Sequence, residues 1–257
     1  MIPYLKKELT DLFRNIKSLD FKVSYIFISV AIITFLSVSF ASPSFYYDHF
    51  GRDKMYSRIY WMLCDGSLMF ILPVLSIKLI LKGKLKDYGL TSGDKKFGLI
   101  TFSVFLLFML IVIWFISASK QFAETYPQGG SDVKQSLTIF IFYELCVFYY
   151  MLGWEFFWRG YMLFGLKEKF GVYSIFIQMI PFFILHKGKP EMELFSSIIG
   201  GLILGIQAYR ARSFVYSWLL HSFTMLSIDS FSILRDKSGN YGMSFTDLFN
   251  VIKSIFN

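Results

Sequence analysis

The chain has 257 residues, 55% of them hydrophobic and 20% aromatic, with a mean hydropathy of +0.52. Soluble domains sit nearer about 45–50% apolar, and here the excess is gathered into long blocks, which excludes a soluble domain and predicts an all-α polytopic membrane bundle. The net charge of +8 comes from basic residues flanking apolar runs, so it points to topology and anionic lipid rather than nucleic acid.

Residues 1–20 carry Leu5, Leu9, Leu12, Phe13 and Ile16 at helical spacing, with Lys6, Lys7, Arg14 and Lys17 between them. That pattern predicts a helix lying on the membrane surface, not a signal peptide. A first span follows from Val23 to Phe40. The loop 42–57 holds His49, read as an ordinary loop histidine. The second span, about 59–81, contains Asp65, read as bonded within the bundle, and a kink at Pro73. A strongly basic loop, 82–96, precedes the third span at about 97–118. The loop 119–134 is polar and turn-rich, with Tyr126-Pro127 and Gly129-Gly130.

The fourth segment runs from Leu137 to about Lys167, too long for one straight crossing at about 1.5 Å per residue. It must tilt, break near Gly153, or project from the membrane. A fifth span reaches from Val172 to His186 and stops at the turn Lys187-Gly188-Lys189-Pro190. The sixth, about 194–209, contains Gly200, Gly201 and Gly205, residues small enough for close helix packing. The seventh covers about 214–234, and the amphipathic tail 243–256 is either a partial eighth helix or a surface one. Seven or eight spans are therefore expected, in a single domain over residues 1–257, with the motif-bearing core at about 84–234. Cys64 and Cys146 both lie in apolar runs, so no disulfide framework is read. Basic residues crowd the N-terminal arm, the 82–96 loop, residues 159–169 and the 210–212 turn. All four fall on one side in this count, the cytoplasmic side of a plasma (inner) membrane by the positive-inside rule, with the N-terminus cytoplasmic.

Trp154-Glu155-Phe-Phe-Trp-Arg159-Gly160 sets a glutamate and an arginine one helical turn apart inside an apolar run, close enough to pair. Charges placed there are expensive and mark a functional site by default. His186 and His221 lie in later apolar runs. Each of these groups alone also fits a structural clamp or an interhelical hydrogen bond. Glu144 stands about three turns before Glu155 and shares its face. Glu193 fits either a helix cap or the site. In residue types, a carboxylate, a guanidinium and two imidazoles suit acid–base chemistry on a bound water.

Glu155-Phe-Phe-Trp-Arg159, then Phe182-Phe-Ile-Leu-His186, then His221 in a late span resemble the CPBP family of intramembrane proteases. That family holds the CAAX prenyl endopeptidases and the bacteriocin-processing Abi proteins, and the likeness covers roughly residues 84–230. Its motifs read Glu-Glu-x-x-x-Arg, Phe-x-x-x-His and His-x-x-x-Asn. Here Trp154 replaces the first glutamate, the one the family uses to activate water, and Met225 stands where asparagine is common; Thr224 or Asp229 is the substitute. The chain thus reads as a variant branch with Trp-Glu for Glu-Glu.

The resemblance implies an intramembrane endopeptidase acting on a membrane-embedded, lipidated or C-terminally tailed protein within the lipid bilayer, with no nucleic-acid partner. Glu155, Arg159, His186 and His221 are the expected catalytic group, with Glu155 taking a proton from a water held by the two histidines and Arg159 orienting it. Glu144, Glu193, Met225 and Asp229 are expected to line the substrate cavity. No cofactor is expected; zinc on the two histidines and Glu155 is the alternative. The rival reading is a non-proteolytic scaffold or immunity-type binding protein of the same family, and a proton-coupled transporter is a third.

Overall fold

The computed structural model of the protein describes residues 2–189 and 191–254. Pro190 of the predicted turn and residues 255–257 of the tail lie outside the described residues. Among the described residues every regular element is helical.

The elements begin with α1 (Ile2–Lys17), whose Leu5, Leu9, Leu12 and Phe13 are exposed outside the bundle, as a surface helix requires. Asp20 starts α2 (Phe21–Phe40) by accepting from the Val23 N–H at 3.0 Å. The loop with His49 is a short helix, α3 (Pro43–His49), and His49 stacks on Phe45 with ring centres 4.0 Å apart. Asp53 caps α4 (Lys54–Leu75), and beyond Pro73 the helix widens into a π-helical turn, Ser76–Ile80. Asp65 in α4 is buried and accepts from the Trp61 indole at 3.2 Å.

α5 (Lys95–Ile116) and the short α6 (Lys120–Thr125) lead into the long segment. That segment does not break at Gly153. It runs as α7 (Leu137–Glu155), a π-helical stretch Phe156–Met162, and α8 (Leu163–Phe170). All seven residues of the π stretch are buried. Seven consecutive residues point in every direction around a helix, so this segment runs through the centre of the bundle. Then come α9 (Tyr173–Ile184), α10 (Glu191–Ala211), α11 (Val215–Ser238) and α12 (Phe245–Lys253).

The chain is an integral, polytopic membrane protein. Five helical stretches are long and apolar enough to cross a bilayer: Phe21–Phe40, Lys54–Ile80, Lys95–Ile116, Leu137–Phe170 and Glu193–Ala211. The remaining two of the seven expected are special. α9 is apolar but has only 12 residues, and α11 carries His221, Asp229 and Arg235 and packs against α5, α7 and α10. α12 spans nine residues, about 14 Å, with Phe245 and Phe249 exposed, so it is a surface helix and not an eighth crossing.

α4 and α7 pack back to back through two glycines. A Cβ built on Gly153 would sit 2.2 Å from the Gly66 carbonyl oxygen, so the crossing tolerates no side chain there. Of the three glycines singled out in α10, Gly201 and Gly205 do face α9, whereas Gly200 faces open space. The basic segments collect at one end of the bundle. Asp94 N–H donates to Ala211 O at 2.8 Å, Tyr216 donates to Ser92 O at 2.7 Å, and Lys22 pairs with Glu168 at 3.1 Å.

Candidate active site

Glu155 ends α7 where the π stretch begins, and Arg159 lies four residues on inside it. Arg159 Nη1 donates to Glu155 Oε1 at 2.9 Å, and both side chains are 0% exposed. The same Oε1 lies 2.7 Å from His221 Nδ1, supplied by the first half of α11. Two donors on one carboxylate oxygen offset the cost of burying the charge. The other face of the guanidinium rests on the Phe182 ring, 3.9 Å from its centre. Phe182 is thus the plate between the groups. His186 packs on it with ring centres 4.5 Å apart, and His221 meets it at 6.3 Å.

His186 and His221 come to one depth because α9 is short. The 34-residue helix Leu137–Phe170 is about 50 Å long against a hydrocarbon core of about 30 Å. α9 returns from its Phe170 end and, with only 12 residues, finishes beside Trp154, whose ring centre lies 5.8 Å from that of Phe182. The chain then turns at 185–189, with the Lys189 N–H donating to the His186 carbonyl at 3.1 Å.

The hydrogen bonds assign the imidazole tautomers. His186 Nδ1 lies 2.8 Å from the Phe182 carbonyl oxygen, which only accepts, so this nitrogen carries the proton. His221 Nδ1 likewise faces a carboxylate. A ring that donates from Nδ1 in its neutral form has its lone pair at Nε2. Both histidines line one cleft of about 80 Å³, together with Trp154, Tyr150, Met225 and Asp229.

The expected catalytic residues therefore converge, with one change in arrangement. Glu155 lies behind His221 and does not open on the cleft. Its free oxygen, Oε2, is buried without a partner, as are Arg159 Nε and Nη2 and the Trp154 indole nitrogen. Of the expected lining residues, Glu193, Met225 and Asp229 lie on the wall, the last two sharing the α11 face of His221. Glu144 does not. Its carboxyl packs behind Asp229, and both its oxygens are buried without an N–H or O–H donor. Thr224 donates to its own helix at Leu220 O, 2.8 Å.

Sequence reasoning passed over Tyr150, Tyr143, Gln128 and Lys189, which also line the cleft. Tyr150 was readable: it precedes Trp154 by one turn, on the same face. At the mouth, Glu193 accepts from the Tyr126 hydroxyl and pairs with Lys189 Nζ at 3.1 Å. This clasp joins the loop 119–134 to the start of α10.

Among the described residues no three His, Cys, Asp or Glu side chains converge as a metal-binding group. Glu155 Oε1 is already taken by Arg159 and by His221 Nδ1. A zinc held by both histidines and Glu155 does not fit this arrangement.

Residues 135–226 match the family model described as type II CAAX prenyl endopeptidase Rce1-like. The match contains Glu155, Arg159, His186 and His221, and it is narrower than the stretch of 84–230 over which the motifs suggest likeness. No curated protein and no solved structure matches the chain.

Proposed function

We propose, taking as premise the Rce1-like endopeptidase match over residues 135–226, that this membrane protein hydrolyses a peptide bond of a membrane-embedded or lipidated substrate. The observation that carries the reading is the shared oxygen: Glu155 Oε1 receives Arg159 at 2.9 Å and His221 at 2.7 Å. A carboxylate that fixes Nδ1–H leaves Nε2 as a proton acceptor, the arrangement that makes histidine a general base. His221 is therefore assigned as the base and Glu155 as the group that orients it and stabilises its imidazolium. This differs from a direct glutamate-activated water, because the free oxygen of Glu155 is sealed from the cleft. Arg159 fixes Glu155.

The water lies between the two imidazoles, its protons directed at the Nε2 atoms of His186 and His221. As its oxygen attacks the substrate carbonyl carbon, His221 Nε2 takes one proton. That proton passes to the amine as the carbon–nitrogen bond breaks, which regenerates the neutral histidine. The negative oxygen formed in the intermediate requires a donor. Met225 offers none, and the Tyr150 hydroxyl on the cleft wall is assigned that part. Trp154 donates only and cannot replace a glutamate base; its ring instead walls the site against His186, centres 6.1 Å apart.

The test is proteolysis by purified protein in lipid vesicles, using membrane-anchored peptides with fluorogenic scissile bonds and mass-spectrometric mapping of the products. Cleavage that is lost in His221→Gln supports the reading. Tight peptide binding without cleavage at any bond assigns the cleft to the non-proteolytic alternative, which the closed wall at Trp154 favours.

A further inference from the structure

A second cavity lies on the side of the bundle away from the histidines. It is a groove of about 320 Å³ between α2 and α4, lined by apolar side chains such as Ile28, Ile32, Leu72, Leu75 and Leu79. Ile28 and Leu75 are more than two-fifths exposed, so the groove opens sideways, toward the hydrocarbon of the bilayer. One end is polar. Tyr25 donates to Ser76 Oγ at 3.0 Å, and Ser29 Oγ meets the Tyr161 hydroxyl at 2.7 Å. The α4 wall includes Ser76, Leu79 and Ile80 of the π-helical turn, a widening that recurs at functional sites.

The register of the two helices says what the polar end faces. On α2 the groove face runs through Ile32, Ser29 and Tyr25, and one turn earlier on that face stands Lys22. On α4 it runs through Leu72, Ser76 and Leu79; the helix ends at Ile80, and exposed Lys82 follows just beyond it in the loop, with φ +50°. Lys22 gives one contact to Glu168 at 3.1 Å and keeps further donors. A lysine thus lies just past the polar end of each wall. From Tyr25 to Ile33 the groove runs about 12 Å, the length of roughly half an acyl chain.

We infer that the α2/α4 groove is a binding site for one anionic glycerophospholipid, with an acyl chain along Ile28, Ile32 and Leu75 and the phosphate at Lys22 and Lys82. The chemistry favours this occupant over a zwitterionic lipid because both lysines meet a net negative head, whereas a choline would bring a third cation to them. The Ser29–Tyr161 hydrogen bond ties the inner wall of this site to the π stretch that carries Arg159.

Native mass spectrometry of the full chain released from detergent tests the assignment, with dioleoyl phosphatidylglycerol and dioleoyl phosphatidylcholine as probes. One phosphatidylglycerol should be held at least tenfold more tightly than phosphatidylcholine. Lys22→Gln/Lys82→Gln should bring the two lipids level. Ile28→Trp/Leu75→Trp, which fills the groove from positions already facing lipid, should lower retention of both tenfold or more. Helix content and monodispersity of each variant are checked first, and the lysine pair, being at the rim, keeps the test available if the tryptophan variant does not fold. Equal affinity for both lipids in the unmodified protein, or undiminished phosphatidylglycerol in the filled variant, overturns the inference. Displacement of phosphatidylglycerol by an equimolar lipidated peptide with a neutral head also overturns it, because the groove would then hold the substrate's anchor.

Discussion

Glu155→Gln should separate the catalytic from the structural part of the buried pair. Glutamine can keep one oxygen where Arg159 and His221 Nδ1 both bond, but a neutral amide holds Nδ1–H more weakly and cannot stabilise the imidazolium, so Nε2 becomes a far poorer base. A positioned base contributes roughly 10²–10⁴ in rate, equivalent to about 3–6 kcal/mol at about 1.4 kcal/mol per decade. The same substitution leaves the Arg159 guanidinium, 0% exposed, without a counter-charge, a stability cost of about 3–5 kcal/mol. Against a total of about 5–15 kcal/mol, the variant should still fold but melt earlier. Glu155→Gln/Arg159→Met removes the stranded charge and should recover most of that stability and none of the activity. The assay is kcat on an anchored fluorogenic peptide beside the melting temperature in the same vesicles. Native turnover in either variant, or activity that returns with stability in the double one, would refute His221 as a base held by Glu155.

Tyr150→Phe should lower kcat by roughly 10²–10³ with KM little changed, the pattern of a donor engaged only in the transition state; an equal loss in both parameters would make it a binding residue. Single cysteines at Ser92 and Glu124, with Cys64 and Cys146 replaced by alanine, should label from opposite faces of the membrane, Ser92 from the cytoplasmic face. Labelling from one face would break the crossing count. The capping box of α12 should weaken in acid. Hydrogen bonds from the Ser244 side chain and backbone hold the Asp247 carboxyl below its ordinary range. Its stabilisation is therefore complete above about pH 4 and lost as pH falls through the lower folded value. Hydrogen exchange across Phe245–Lys253 should accelerate only in that acid window and stay pH-independent, after correction for intrinsic rates, above it.

Spans, caps and the order of the charged motifs were legible because apolar length and cap residues are local signals. Asp20, Asp53 and Ser136 each stand where a helix begins and bond its first turn. The Glu155–Arg159 pair followed from one-turn spacing. What escaped depends on neighbours far along the chain. Glu144 does share the long helix with Glu155, yet α11 sets Asp229 against the first carboxyl and His221 against the second, and it is these α11 side chains that line the cleft. Whether Glu155 points into the cleft or behind His221 is decided by where α11 packs, 66 residues away. The proximity of the two histidines hung on the 12-residue length of α9, which apolar run-length overstates because Leu185 and His186 continue the hydrophobic pattern past the last helical turn.

The π stretch at Phe156–Met162 has a consequence for how this chain tolerates insertions and deletions. A π turn holds about one residue more than an α turn, so removing one residue from this stretch would let it relax into ordinary helix. Because the wider turn already carries the extra residue, α7 and α8 would keep nearly the same facing on either side of it. The same loss from the α-helical part, between Leu137 and Glu155, would rotate everything after it by about 100° and swing the buried Leu163 and Leu166 of α8 toward lipid or water. Within this central segment the π stretch is thus where a change of chain length can be absorbed, independently of which side chains are present.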